Sequence, residues 1–316
     1  TAQVLANRGI ESPAEAAEFL NCSMASCHDP FLLKDMARAV LRIKKAISGG
    51  ERILVYGDYD ADGITGVALL SSALKNLGAD KVENYIPNRL EEGYGLNTNA
   101  IKKAHKNGVN LIITVDCGIG SFKEVEYASA LRMDIIVTDH HEILEASVPA
   151  ALAVINPLQE SCRYPFKHLS GVGLAYKLVK ALYEDTDLFA EDFLDLVSLG
   201  TVADIAPLVG ENRILTKHGL DELNKRARLG LRALAEASGL SGKDISSGHI
   251  GFILGPRINA MGRTGSPRAA LEPVVEAVVV AVGDCGRGLL EVRLAVEVGV
   301  LRAVGETVAV GVGIER

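Results

Sequence analysis

The stretch RILVYGDYDADGITG, residues 52–66, constrains this chain more than any other. An apolar, β-branched run ends in three aspartates at alternate positions, Asp58, Asp60 and Asp62. The residues behind them, GITGVALLSSALKNLG, have helical spacing. A buried strand that turns directly into a helix is the opening half of a parallel strand–helix–strand unit. The same grammar recurs downstream. LIITV runs into Asp116, Cys117 and Gly118, and DIIVT runs into Asp139, His140 and His141. KVENYIPN and ALAVINP read as two further strands, and NTNAIKKAHKNG and SFKEVEYASAL as helices between strands. Apolar strands alternating with amphipathic helices predict an α/β fold with a doubly wound, mostly parallel sheet over residues 49–165.

The flanks read differently. Residues 1–48 form a helical lead-in: SPAEAAEFLN carries an N-cap at Ser12, Pro13 in the first turn and Glu15 behind it, and KDMARAVLRIKKAISGG is an amphipathic helix stopped by Gly49 and Gly50. Residues 166–271 form a mainly helical segment. GVGLAYKLVKALYED, EDFLDLVSLGTVAD and GLRALAEASG each carry apolar residues at helical spacing, and GPRINAMGR is expected to be a Gly/Pro-rich loop. The stretch 272–316 contains no Lys, Ser, Asn, Gln, His, Phe or Tyr and is set apart as a tail of uncertain character.

Bulk properties narrow the class. With 316 residues, 48% of them hydrophobic, the chain can bury a sizeable core. No run of 18 apolar residues occurs, so no membrane span is expected. The first residues lack a basic stretch followed by an apolar one, so no secretory leader is expected and the location is read as cytoplasmic. Cys22, Cys27, Cys117, Cys162 and Cys285 are odd in number and irregularly spaced, which predicts reduced thiols. Cys22, Cys27 and His28 lack the second ligand pair of a zinc site. The net charge of −7 argues against a general nucleic-acid binder, although a carboxylate-rich metal site lowers net charge by itself.

In an open parallel sheet, ligands bind outside the carboxyl ends of the strands. One aspartate at a strand end serves a turn or a helix cap, and Asp80 or Asp134 needs no more than that. Five acids and two histidines on three strand ends are another matter, because such a cluster repels itself unless cations share it. Carboxylates with imidazole and no clustered thiolate suit Mn²⁺ or Mg²⁺. So many carboxylates suggest two ions, roughly 3.5–4 Å apart, that clamp the attacking and leaving oxygens of a phosphoryl displacement. Asp204, in GTVADIAPL, is placed to complete a metal shell from the far side. Candidate phosphate contacts are Gly171 and Gly173 at a helix start, Arg89 past the second strand, and Arg257, Asn259 and Arg263 in GPRINAMGR.

TDHH (138–141), with GDYDADG, DCG and GTVAD, resembles the DHH phosphoesterase superfamily. NRGI, PNRLEEGYG, SGVGLAYKL, GTVADIAPL and GPRINAMGR narrow the resemblance to its RecJ family of single-stranded-DNA-specific exonucleases, from about residue 5 to about residue 270. The resemblance implies 5′→3′ release of mononucleotides from single-stranded DNA, Mn²⁺ or Mg²⁺ dependence, and service in recombination and repair. It implies metal ligation by Asp58, Asp60, Asp62, Asp116, His140 and Asp204, with Asp116 as the bridge. Asp139 would orient a ligand, His141 would act near the scissile phosphate, and Arg89 would hold a 5′-terminal phosphate. Arg257, Asn259 and Arg263 would hold backbone phosphates or brace the metal loop. Family analogy adds a single-strand-binding protein and a RecQ-type helicase as partners, and a monomer. The family's second, nucleic-acid-binding domain has no counterpart motif here, so a catalytic core with a weaker strand grip is expected. Sister enzymes acting on pyrophosphate, short oligonucleotides or cyclic dinucleotides are the first alternative, although Tyr56 stands where they usually carry a histidine. A non-catalytic scaffold of the replication machinery is the second.

Overall fold

The computed structural model describes residues 2–89, 91–144, 147–264 and 271. Its centre is a five-stranded, all-parallel sheet of β1 (Arg52–Gly57), β2 (Val82–Tyr85), β3 (Val109–Val115), β4 (Asp134–Thr138) and β5 (Ala153–Ile155) in the order β2-β1-β3-β4-β5. The chain reverses its direction of winding between β1 and β3. Parallel strands bury both faces, and the alternation of side chains sorts them except at Val109, where the β1–β3 register shifts. Ile53, Val55, Leu111, Ile113, Val115, Ile136 and Ile155 enter one apolar cluster, whereas Leu54, Tyr56, Val109, Ile112, Ile135, Val137 and Val154 enter another.

Two short helices, α1 (Ala2–Ala6) and α2 (Pro13–Asn21), lead in, and α3 (Met36–Ser48) follows them against the first face. The Ser12 hydroxyl accepts the Glu15 N–H while Glu15 reaches back to the Ser12 N–H, as the predicted cap requires. The first face is covered mainly by α4 (Ala61–Asn76), which packs under α7 (Gly171–Tyr183) and α8 (Leu194–Ala203). Every residue of α4 from Ala61 to Leu74 is buried, which explains why it carries no basic residue before Lys75. The second face is covered by α5 (Thr98–Lys106) and α6 (Phe122–Ala130).

Beyond α8 come α9 (Gly210–Lys225), which the sequence patterns did not single out, α10 (Leu229–Ala237) and a continuous helical run of α11 (Ser247–His249), a π-helical turn (Ile250–Leu254) and α12 (Gly255–Thr264). This run corrects the reading of GPRINAMGR as a loop. Gly255 still bonds to the Ile250 carbonyl at the end of the π turn, and Pro256 follows where the ladder changes register, a place that tolerates a missing N–H. Residues 272–316 lie outside the described residues, as does the side chain of Arg263. Among the described residues no helix is long and apolar enough to cross a membrane, and Cys22, Cys27, Cys117 and Cys162 are free thiols.

Candidate metal centre

The acids of the first motif take three different jobs. Asp58 follows β1 directly, and its N–H bonds to the Val115 carbonyl at 3.3 Å, so it is clamped to β3 at the point where the winding reverses. Asp60 caps α4: its Oδ1 accepts the N–H groups of Asp62 and Gly63, both at 3.0 Å, which leaves Oδ2 for other partners. Asp62, in the first turn of α4, turns toward α7, where its oxygens accept the N–H groups of Gly171 at 2.7 Å and Val172 at 2.8 Å. The third N–H there, of Gly173, is taken by the Ser170 hydroxyl. This corrects the expectation that Gly171 and Gly173 offer free N–H groups to a phosphate: the helix start does bind an anion, and the anion is Asp62.

The glycines serve close approach instead. A Cβ on Gly171 would lie 2.6 Å from the side chain of Asp116, and one on Gly200 would lie 2.3 Å from Thr65 Oγ1 and 2.9 Å from Asp62 Oδ1. Both α7 and α8 therefore run directly against the acids. Asp116 itself ends β3 in a left-handed conformation (φ +62°), anchored by its N–H to the Thr138 carbonyl. That turn aims its carboxylate into the cleft.

From β4 come Asp139, His140 and His141. Asp139 is buried and accepts three donors: Ile119 N–H at 2.9 Å, His141 N–H at 3.1 Å and His141 Nδ1 at 2.7 Å. It orients His141 and leaves that ring's Nε2 free. His140 Nε2 lies 3.0 Å from Asp116 Oδ1, 3.9 Å from Asp62 Oδ2 and 3.9 Å from Asp204 Oδ2. Asp204 arrives as the C-cap of α8.

These groups form three overlapping sets able to hold a cation: Asp58, Asp60 and Asp116; Asp62, His140 and Asp204; Asp116, His140 and His141. Asp116 and His140 each belong to two of them. Three buried atoms of the cluster, Asp58 Oδ1, Asp116 Oδ1 and His140 Nε2, have no hydrogen-bond partner, the last two lying side by side but out of line with each other. Buried polar atoms are nearly always satisfied, so lone pairs left bare in one spot fit the coordination of a cation. The charges agree. Burial, then Asp60, pushes Asp58 up to about 7, and burial, then Asp60, pushes Asp204 up to about 6. Burial raises Asp62 and Asp116 well above the carboxylate range, helped by Asp204 for the first and by Asp62 for the second. Burial lowers His140 to about 4, so it is a neutral imidazole, the form that binds metals. A hydrogen bond to the Leu169 backbone raises it in part, and with Nε2 unpartnered that bond falls to Nδ1 and leaves Nε2 to a ligand. The bond to Asp139, more than any other cause, raises His141.

The outer contacts divide. Arg89 is exposed and stands over the Tyr59 ring, 5.2 Å from its centroid, on the rim of the acids. Asn259 accepts the Ala61 N–H at 2.7 Å, so it braces the metal loop from α12. Arg257 is exposed and donates to the Ile253 carbonyl. Sequence reasoning passed over Tyr94, whose hydroxyl reaches both the Asp116 carbonyl and His141, and Gly200. The flanking glycines of EGYG were the available signal for the first.

Residues 52–201 match the DHH family, N-terminal domain. The chain is 43% identical over 262 residues to the single-stranded-DNA-specific exonuclease RecJ of Bacillus subtilis, covering 83% of this chain and 33% of that protein. It is 40% identical over 274 residues to the RecJ of Escherichia coli, covering 83% and 47%. Among solved structures, exonuclease RecJ bound to manganese aligns with a TM-score of 0.73 at 36% identity over 85% of this chain and 66% of that one. RecJ of Thermus thermophilus in complex with Mn²⁺ aligns with a TM-score of 0.76 at 32% identity over 95% and 40%. The chain thus spans between a third and a half of these curated relatives.

Proposed function

We propose, from the premise that the chain belongs to the DHH family through residues 52–201, that it is the catalytic core of a single-stranded-DNA exonuclease that hydrolyses phosphodiesters from the 5′ end and releases mononucleotides. The observation that carries this reading is the trio of unpartnered buried atoms, Asp58 Oδ1, Asp116 Oδ1 and His140 Nε2, gathered at the carboxyl ends of parallel strands.

Two divalent cations, Mn²⁺ or Mg²⁺, would fit these residues: Asp58, Asp60 and Asp116 would hold one, and Asp62, His140 and Asp204 the other, Asp116 belonging also to the group with His140 and His141. When bound, such a pair neutralises charge on phosphoryl oxygens and lowers the pKa of water. The chain's own residues do the rest. Asp62 ties α4 to α7 and so fixes both sides of the cleft. Asp139 holds His141 with Nε2 outward and favours its doubly protonated form, from which Nε2 can pass a proton to the departing sugar oxygen. Arg89, on the rim beside Tyr59, receives the terminal phosphate, and Arg257 and Arg263 receive phosphates of the backbone. Residues 49–165 and 166–271 act as two parts of one catalytic core. A single-strand-binding protein and a RecQ-type helicase are the partners that family analogy supplies, with a monomer working in the cytoplasm.

The test is digestion of single-stranded DNA labelled at either end, with Mn²⁺, Mg²⁺ or chelator, beside pyrophosphate and a cyclic dinucleotide. Metal-dependent release of mononucleotides from the 5′ end supports the reading. Turnover of pyrophosphate or the dinucleotide without DNA cleavage moves the chain to a sister enzyme, and no turnover of any substrate favours a scaffold.

A further inference from the structure

Tyr94 sits on the turn between β2 and α5 with a left-handed glycine on each side, Gly93 at φ +80° and Gly95 at φ +82°. The turn is tied down. Gly95 O accepts the buried Tyr56 hydroxyl at 2.9 Å, and Glu92 accepts from Tyr85 OH, Asn88 N–H and Asn97 Nδ2. So braced, it holds the Tyr94 ring edge-on between His141, 5.8 Å away, and Tyr59, 6.4 Å away.

The hydroxyl lies 3.2 Å from the Asp116 carbonyl and 3.2 Å from His141 Nδ1. Its bonding direction follows from its neighbours. Asp139 Oδ1, which already accepts the His141 N–H, lies 2.7 Å from Nδ1, so Nδ1 carries the proton. A protonated Nδ1 cannot accept from the tyrosine. The hydroxyl therefore donates to the Asp116 carbonyl, and its oxygen takes the minor share of the Nδ1–H bond. One group thus joins the backbone of the ligand shared by two cation sets to the ring that faces the cleft mouth.

We infer that Tyr94 is a positioning residue: its hydroxyl fixes the tilt of the His141 ring relative to Asp116, so that Nε2 keeps one place at the mouth of the site. The inference rests on the reading of the cleft as a phosphoesterase centre. Asp139 alone would hold His141 at one point and leave the ring free to swing about it. Tyr94 approaches the same Nδ1 from a second direction and sets its own ring edge-on against the imidazole, as outer partners of functional histidines do, at a typical worth of 10–100-fold in activity.

The test compares Tyr94→Phe, which keeps the ring and removes only the hydroxyl, with the parent chain in three measurements. Steady-state DNA digestion is expected to show kcat lowered roughly 10- to 100-fold with KM within about twofold. The upward shift in Tm on adding Mn²⁺ is expected to stay unchanged, since the hydroxyl ligates nothing. Imidazole nitrogen NMR of the metal-free protein is expected to show His141 keeping its Nδ1–H form, held by Asp139, while its ring resonances broaden as the ring samples more than one tilt. An unchanged kcat in an active parent, an unchanged His141 spectrum, or a collapsed Mn²⁺ shift each overturns the inference, the last by reducing Tyr94 to a structural prop. If the parent cleaves no DNA, the proposed function fails and the NMR comparison still decides Tyr94.

Discussion

The molecule buries charge in two places and handles it in opposite ways. Beneath the lead-in, Lys177 is fully buried, bonded to the His28 carbonyl and paired with Glu211. Glu211 in turn accepts the His28 N–H and the Tyr164 hydroxyl, so the anion and its cation come from the same chain and every polar group closes on another. At the strand ends Asp58, Asp62, Asp116 and Asp139 are buried as deeply, yet among the described residues no lysine or arginine pairs with any of them. Only histidines lie near, and one of those is held neutral. A closed network is architecture. An open one, with bare lone pairs, is a socket for a charge from outside.

That contrast makes opposed predictions for substitutions of similar size. Asp116→Asn removes the acid shared by two cation sets, and DNA digestion should fall at least about a thousandfold, the kinetic equivalent of losing several kcal/mol of charge stabilisation. Its metal-free stability in urea should hold or rise, because one repelling carboxylate is gone. Lys177→Met should do the reverse. Leaving Glu211 buried without its cation should lower unfolding stability by about 3–5 kcal/mol, read from the shift in urea midpoint. The surviving folded fraction should keep its metal response. If Asp116→Asn unfolds the protein as severely as Lys177→Met, the two regions are alike and the socket reading is wrong.

The sequence made the sheet legible because short apolar strand runs and helical spacing alternate without interruption from residue 52 to 157, and the acids at strand ends needed only the parallel topology to converge. Residue types that serve two physical ends were harder to read. Gly171 and Gly173 look like an anion cradle, but the cradle is Gly171 with Val172, its anion is Asp62, a partner more than a hundred residues away that no local pattern reveals, and Gly173 bonds to Ser170. Gly200 looks like a helix weakness and is a clearance for Thr65 and Asp62. The glycines and proline of GPRINAMGR suggested a loop because local propensity was all there was to go on, while packing of the π turn and α12 against α8 keeps the segment helical. Tyr94 escaped because a tyrosine between two glycines announces a turn, not which carbonyl its hydroxyl will find.

Adding Mn²⁺ should raise stability by about 2.7 kcal/mol at a hundredfold excess over its dissociation constant, seen as a higher Tm that chelator abolishes. Asp116→Asn should lose most of this increment and Lys177→Met should retain it. The smallest effect, and the one that tests the electrostatics most directly, is the response to pH. Asp58 is pushed from an ordinary 3.8 to about 7, so between those values the folded protein holds a proton that the unfolded chain has released. Its contribution to stability is full below 3.8 and is lost as pH rises through 7. His141, also raised, acts in the same sense above 6.5. His140, lowered to about 4, acts in the opposite sense, its unfolded form being half protonated at 6.5 and almost wholly neutral above about 7.5. Across pH 6.5 to 8 that opposition is about 0.4 kcal/mol and fades, whereas Asp58 contributes a fall of about 1 kcal/mol, so metal-free stability should decrease across the window. Asp58→Asn should flatten that slope. With Mn²⁺ present the slope should change sign, because cation binding requires the deprotonated ligands that higher pH supplies. A metal-free slope that rises with pH, or one that Mn²⁺ leaves untouched, would mean that the cluster's charges are relieved from within, as those around Lys177 are.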